Sequence, residues 1–287
     1  MSLGEALRRP LYRIYEERLL RSLDRSRLPG HIGVIHDGHR RFARAAGLPD
    51  YATSYRAGMD KVVEFLSWCR DLEVPAVTCW LLSQENLSRP ADELGPYFEV
   101  LAGLFDRLPD EPGAAGLRIG VIGSVDLLPA RLQEAAAQLE ERASSGDRRL
   151  TIALAYAGRQ EIVDAVRDLV GELVAGGVDA AALAGHIDAE SLAAHLYTAD
   201  LPDPDLVIRT SGESRLSGFL LWQAAYAELY FTDVLWPDFN ERELLAALLD
   251  YQGRQRRFGL TESQLERQDG RRSGTSRSLT NPPRSRK

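Results

Sequence analysis

An acid, a glycine and two arginines are packed into five residues, Asp37-Gly38-His39-Arg40-Arg41. These residue types can do a specific chemistry together. A carboxylate can hold a divalent cation, arginines take phosphate oxygens in fork geometry, and a glycine lets a ligand approach the backbone. An apolar run over 32–35 precedes the group and a helix-like stretch follows it. The pattern therefore suggests a metal–diphosphate site at a strand-to-helix turn.

Two further segments carry the same kind of groups. One runs Ser83-Gln84-Glu85-Asn86-Leu87-Ser88-Arg89-Pro90. The other runs Arg209-Thr210-Ser211-Gly212-Glu213-Ser214-Arg215-Leu216-Ser217. Arg209 and Arg215 can clamp phosphate oxygens, and Ser217 can add a hydroxyl. An ionised Asp37 beside phosphates needs a cation between them, and Mg²⁺ fits that need. The chain has neither the G-x-x-x-x-G-K-[ST] loop nor G-x-G-x-x-G, so a nucleotide is not the obvious ligand. Glu228 is an acid in the apolar stretch Tyr226–Tyr230. It reads either as a core-edge carboxylate with a local partner or as a second metal ligand, supplied from a neighbouring subunit.

The elements that must position these groups follow from periodicity. Leu7, Leu11, Ile14, Leu19 and Leu23 predict a helix over about 4–26, which Leu28-Pro29-Gly30 ends. Strands are predicted over 31–36, 76–82, 117–122, 150–156, 205–209 and 229–231. Helices are predicted over 54–71, 91–108, 126–143, 160–174, 188–196 and 241–257, with a helical turn over 219–225. This alternation implies an α/β fold: a single domain with a mainly parallel six-stranded sheet flanked by helices. In such sheets the ligand lies beyond the C-terminal strand ends, where all three segments fall. No internal repeat or linker interrupts the chain before residue 262, so the domain is read as 1–262, and 263–287 as a disordered basic tail.

Composition narrows the class. The chain has 287 residues, 44% of them hydrophobic, enough for a sizeable core. Residues 267–287 carry a net +6, so the body is near −13 within a total of −7. An acidic body argues against nucleic-acid binding, while the tail could be weakly drawn to anionic lipid. Cys69 and Cys79 lie in apolar segments and read as buried free thiols, and no His/Cys cluster has zinc spacing. There is no signal-peptide pattern and no apolar run of membrane-spanning length, which together predict a cytoplasmic protein.

With the three segments in view, the chain resembles the cis-prenyltransferases, the undecaprenyl diphosphate synthase family, and within it the short-chain Z-isoprenyl members. The resemblance covers about residues 28–259. It is most specific over 204–223, PDLVIRTSGESRLSGFLLWQ, continuing through Tyr226-Ala-Glu-Leu-Tyr-Phe231 and Trp236-Pro237. It implies an enzyme that joins isopentenyl diphosphate to an allylic diphosphate with a new Z double bond, using Mg²⁺, as a homodimer with an apolar tunnel for the product. Position by position, it implies that Asp37 holds the metal on the allylic diphosphate, with Glu228 as a second metal-associated acid. Gly38, Arg40 and Arg41 would cradle that diphosphate, and Arg209, Arg215 and Ser217 would bind isopentenyl diphosphate. Ser83 and Asn86 would support the reacting centre; Phe42, Arg89 and Glu93 complete the substrate set. Arg257 and Gly259 resemble an element that reaches a partner's site in some family dimers.

The departures from the family pattern are informative. His39 stands where the family usually has Asn, Phe42 where it has Trp, and His36 where Met is commoner. Tyr55 takes the place of a substrate-binding His, a nearby family Arg is missing, and Leu87 replaces a Trp. These last three also occur in the short-chain members. His39 could do acid–base work, so it could replace the Asn or redirect the reaction. Leu81 sits where long-chain members have a small residue, so a short product of about three isoprene units is expected from geranyl or dimethylallyl diphosphate. Phe98, Leu101 and Phe105 could line the tunnel or serve as ordinary core. Two other readings compete: a diverged enzyme that cyclises or irregularly couples prenyl diphosphates through His39, and a non-catalytic partner subunit.

Overall fold

Alternating apolar strands and amphipathic helices leave one economical arrangement, a parallel sheet with helices on both faces. The computed structural model describes residues 16–254, and those up to Gln252 form one compact unit. In chain order the elements are α1 (16–22), β1 (His31–Ile35), α2 (His39–Ala45), α3 (Tyr51–Asp71), β2 (Ala76–Trp80), α4 (Ala91–Arg107) and β3 (Leu117–Ile122). They continue with α5 (Ala130–Arg142), β4 (Arg148–Ala153), α6 (Gly158–Ala175), α7 (Ala189–Ala193), β5 (Leu206–Arg209), β6 (Glu228–Phe231) and α8 (Glu241–Gly253). The six strands lie in the order β3-β4-β2-β1-β5-β6, all parallel.

Strand β1 is the switch point of this order. The chain leaves it towards β2 on one side and later returns through β5 on the other. A crevice therefore opens beyond the C-terminal end of β1, where the flanking connections diverge. Strands β1, β2 and β5 are buried along their whole length. Ile32, Val34, Val77, Cys79 and Ile208 pack with α3, α4, α5 and α8 in the main core. Ile35, Trp80, Val207 and Phe219 form a second apolar layer on the other face.

Several boundaries differ from expectation for local reasons. The helix expected over 126–143 is split: a 3-10 turn at Val125–Leu127 precedes α5. Pro129 caps α5 and forces Leu128 into extended backbone (φ −92°, ψ 160°). The strand expected over 150–156 starts earlier and ends at Ala153, because Ala155 turns left-handed at φ 47°. The helical turn expected over 219–225 is a 3-10 turn at Gln223–Tyr226. Helix α3 starts at Tyr51 because Asp50 accepts the Thr53 amide at 2.8 Å as an N-cap. The helix expected over 4–26 ends at residue 22, before a 3-10 turn at Arg25–Arg27, and the one expected over 241–257 ends at Gly253. Residues 4–15 of the first helix, the tail, Arg257 and Gly259 lie outside the described residues.

Phe98, Leu101 and Phe105 pack with the main core, Leu101 and Phe105 fully buried. Both cysteines are buried free thiols. Among the described residues, no helix is long and apolar enough to cross a membrane.

Candidate active site

The three chemistry-bearing segments meet at the C-terminal edge of the sheet. Asp37, Gly38, His39, Arg40 and Arg41 come from the β1–α2 turn; Ser83, Asn86 and Arg89 follow β2; Arg209 and Ser217 follow β5. All ten line one cleft of about 380 Å³.

The centre of the cleft is an ion pair. The Arg209 guanidinium, 5% exposed, donates from Nη2 to Asp37 Oδ2 at 2.9 Å. Its Nη1 donates to Ser217 Oγ at 2.7 Å and to the Arg215 carbonyl at 2.5 Å. Its Nε has no hydrogen-bond partner. The Asp37 side chain is 36% exposed, and its Oδ1 accepts the Gly38 amide at 2.7 Å. Buried Thr210 fixes the Asp37 backbone: its hydroxyl accepts the Asp37 amide at 2.9 Å and donates to the Asp37 carbonyl at 2.8 Å. The acid is thus held from behind, with the rest of its oxygen surface towards the cleft.

Gly38 has to be glycine. Its φ is 109°, and a Cβ there would lie 2.9 Å from Leu235 and 3.1 Å from the Ser211 Cβ. No side chain caps the start of α2, which begins at His39.

At the mouth, Glu93 gathers three donors. Arg40 meets it with two bonds at 2.9 and 2.7 Å, Tyr55 donates its hydroxyl at 2.6 Å, and Arg89 approaches at 3.4 Å. Burial would raise the Glu93 pKa. The bonds from Tyr55 and Arg40 and the charges of Arg40 and Arg89 outweigh it and hold the carboxyl below the ordinary range. Burial and the adjacent Glu93 push the Tyr55 hydroxyl up to about 12. Glu93 also borders a second cavity of about 780 Å³ between α2, α3 and α4, so this cluster lies between the two spaces. Arg41 donates to Ser211 Oγ at 2.7 Å and to Glu213 at 3.1 Å, and Glu213 also accepts from Arg215 at 2.5 Å. Each arginine expected to meet phosphate therefore already holds an oxygen acceptor.

The histidines behave differently from each other. His39 is wedged on Gly58, where a Cβ would lie 2.0 Å from its ring. Its Nδ1 is 3.3 Å from the Ser54 carbonyl, and the Ser54 hydroxyl donates to the His39 carbonyl at 2.7 Å. Burial lowers its pKa to about 4, with Asp37 and Arg89 acting in opposite directions, so the imidazole is neutral at pH 7. His36 packs on Trp236 with ring centres 4.0 Å apart; neither nitrogen makes a well-formed hydrogen bond, and the Trp80 backbone only weakly favours its charged form. Burial and then the neighbouring His39 lower its pKa to about 3.

Not every expected residue reaches the cleft. Phe42 is half-buried on α2 away from it, and Arg215 is exposed, touching it only through its carbonyl and Glu213. Glu228 is at the other end of the sheet: it pairs in register with Leu206, which pairs with Ile32, whereas Asp37 lies past Ile35. A metal shared by Asp37 and Glu228 within one chain is ruled out by that separation. Among the described residues, no group of three or more His, Cys, Asp or Glu could hold a metal.

Several cleft residues had no role assigned from the sequence. Trp80 and Tyr97 line it, the Tyr97 hydroxyl donating to the Leu81 carbonyl. Tyr97 lies one helical turn beyond Glu93, a spacing that could have placed both on one face. Thr210, Ser211 and Glu213 lie within the third segment, but nothing in their order tells which of them hold Asp37 and Arg41.

Comparisons with known proteins agree with this geometry. A prenyltransferase family model, described as "Putative undecaprenyl diphosphate synthase", matches residues 35–259. The chain belongs to this family. It is therefore a cis-prenyltransferase, with the fold and enzyme class that the resemblance implied. A (2Z,6E)-farnesyl diphosphate synthase of Thermobifida fusca is 49% identical, over 88% of this chain and 98% of that protein. A tritrans,polycis-undecaprenyl-diphosphate synthase (geranylgeranyl-diphosphate specific) of Methanopyrus kandleri is 44% identical, over 88% of this chain and 92% of that protein. Among solved structures, a lavandulyl diphosphate synthase from Lavandula x intermedia in complex with dimethylallyl diphosphate superposes with a TM-score of 0.76 at 32% identity. That match covers 82% of this cis-prenyltransferase and 99% of the plant chain.

Proposed function

We propose that this cis-prenyltransferase condenses isopentenyl diphosphate with geranyl or dimethylallyl diphosphate and releases a Z-prenyl diphosphate of about fifteen carbons. The observation that carries this reading is the Asp37–Arg209 pair. It joins the β1–α2 turn, which offers Arg40 and Arg41, to the β5 loop, which offers Arg215 and Ser217. Two anionic groups can be held on either side of that junction, and holding two reactants in line removes much of the entropic barrier to their coupling.

The residues fit Mg²⁺. Asp37 presents a partly exposed carboxylate, and Mg²⁺ commonly binds one or two carboxylates and completes its shell with substrate phosphates and water. When bound, the ion neutralises charge on the departing diphosphate. Arg40 and Arg41 bind and orient that diphosphate, and Arg209 keeps Asp37 aimed at it. Ser83 and Asn86 line the floor between the two sites, with Ser83 Oγ accepting the Asn86 amide at 3.2 Å. A metal role for Glu228 would require a second copy of the chain, as in a homodimer.

Leu81 and Tyr97 both line the cleft and belong to the main core, so bulky side chains stand where the growing chain would extend. Relatives named for short and for long products are similarly close in identity, so these side chains, rather than overall likeness, support the short product. The deciding experiment is incubation with Mg²⁺, isopentenyl diphosphate and C5, C10 or C15 allylic diphosphates. A C15 alcohol after phosphatase treatment is expected, and Leu81→Ala should lengthen the product by at least one isoprene unit. A branched skeleton, or a hydrocarbon formed without phosphatase, would replace this reading with irregular coupling or cyclisation. No turnover with any donor would favour a non-catalytic partner subunit. The depressed basicity of His39 speaks against its being a strong redirecting base.

A further inference from the structure

The segment between β5 and β6 holds three non-glycine residues in the left-handed region, Ser211, Ser217 and Leu220, and Ser211 has the largest φ of the three. Ser211 has φ 78°, in the left-handed region where a Cβ is strained. The residue is 2% exposed, and tertiary bonds hold its backbone there. Its amide donates to the Val234 carbonyl and the Gly212 amide to the Thr232 carbonyl, each at 2.8 Å. Glycine would meet the same backbone demand without strain. What serine adds is one hydroxyl, and that oxygen accepts a hydrogen bond from Arg41 Nη2 at 2.7 Å.

Arg41 needs such a hold. Its side chain is 46% exposed, and a free arginine there would sample many rotamers. The other acceptor of the same nitrogen is Glu213, at 3.1 Å. Glu213 is an anion that also serves Arg215, so an arriving phosphate competes with it for both guanidiniums. Ser211 is neutral and occupies one of the five N–H groups of the guanidinium, leaving the others for phosphate oxygens. Its bond can therefore persist when a diphosphate binds.

We propose that Ser211 is a positioning residue for Arg41: it presets the guanidinium for the allylic diphosphate, and the left-handed strain is retained for that hydrogen bond. This inference rests on the reading above that Arg41 holds the allylic diphosphate.

Two variants separate positioning from structure. Ser211→Gly removes both the strain and the hydroxyl; Ser211→Ala removes only the hydroxyl. Ser211→Gly should melt no lower than the wild type. Both should raise KM for geranyl diphosphate, and its Kd by calorimetry, about tenfold, as expected for one charge-assisted hydrogen bond. In both, kcat should change far less than KM, and KM for isopentenyl diphosphate should stay within about twofold. Unchanged geranyl diphosphate binding in Ser211→Gly would overturn the inference, as would a loss confined to a Ser211→Ala protein that melts lower. A parallel rise in both KM values would also overturn it, because that is general loosening of the loop. If the wild type neither binds nor turns over geranyl diphosphate, the function reading fails and takes this inference with it; if the wild type binds and the variants match it, only the inference fails.

Discussion

The two ends of β1 are built from similar residues and are finished differently. At the N-terminal end, His31 uses both ring nitrogens, on the Pro202 carbonyl at 2.7 Å and the Thr78 hydroxyl at 2.8 Å. Asp205 accepts the Gly30 and His31 amides at 2.7 and 3.2 Å. At the C-terminal end, neither His36 nitrogen makes a well-formed hydrogen bond, and Trp80 Nε1 and Arg209 Nε lack partners. Buried polar groups are ordinarily satisfied. Of the four described residues with an unpartnered buried side-chain atom, His36, Trp80 and Arg209 line the cleft, and the fourth, Gln223, does not. The closed end is tied by the His31 and Asp205 bonds; the open end carries the proposed site.

The largest effect expected from this contrast is at Asp37. Asp37→Asn keeps the shape and should lower kcat/KM about 10³-fold, roughly 4 kcal/mol, in a product-formation assay. Wild-type turnover in that variant would refute the metal assignment.

Acid should weaken the fold at both ends, since burial also holds the His31 imidazole below its ordinary value, and the open end carries two such rings. The unfolded imidazole of His36 or His39 takes a proton below about pH 6.5. In the folded chain burial delays protonation until about 3 for His36 and about 4 for His39. Between those limits the unfolded state binds more protons, so stability is complete above about pH 6.5 and falls as the pH drops towards 4. At pH 5 the loss is on the order of 2 kcal/mol per imidazole. Melting temperatures followed from pH 7 to pH 5 should fall less steeply in His36→Met and His39→Asn. Equal slopes would show that these rings are solvated.

Asp205→Ala tests the closed end. It strips two amides of their acceptor and should cost about 2 kcal/mol, seen as a fall of about 4–8 °C in Tm. Activity per folded molecule at 25 °C should stay near that of the wild type, and a loss as deep as that of Asp37→Asn would erase the contrast between the two ends.

The smallest effect is at the mouth. Glu93→Gln removes an anion that competes for Arg40 and Arg89, and inorganic pyrophosphate should then bind about threefold tighter by calorimetry. Weaker binding would instead mean that Glu93 is needed to orient Arg40.

Much of the site was legible before the fold, because its residues come in contiguous runs after apolar strands. Asp37 through Arg41, Ser83 through Arg89 and Arg209 through Ser217 each lie at a strand end that periodicity could find. Partners from distant segments were not legible. Glu93 with Arg40 and Tyr55, Ser211 with Arg41, and Thr210 with Asp37 depend on where α2, α3, α4 and the β5 loop come to rest. Glu228 shows the reverse case. Its place in an apolar stretch left a metal role open, and strand register then put it at the far end of the sheet from Asp37.

By itself, the sequence determined the α/β class, the parallel sheet and the end of it that carries the chemistry, because alternation and strand-end motifs are local properties. It could not say which of the histidines in the stretch His31–His39 is satisfied, unpartnered or wedged on Gly58. Only the tertiary structure decided that. A ring nitrogen's partner is supplied by another segment, and burial, which sets whether the ring can carry charge, is a property of the packed whole.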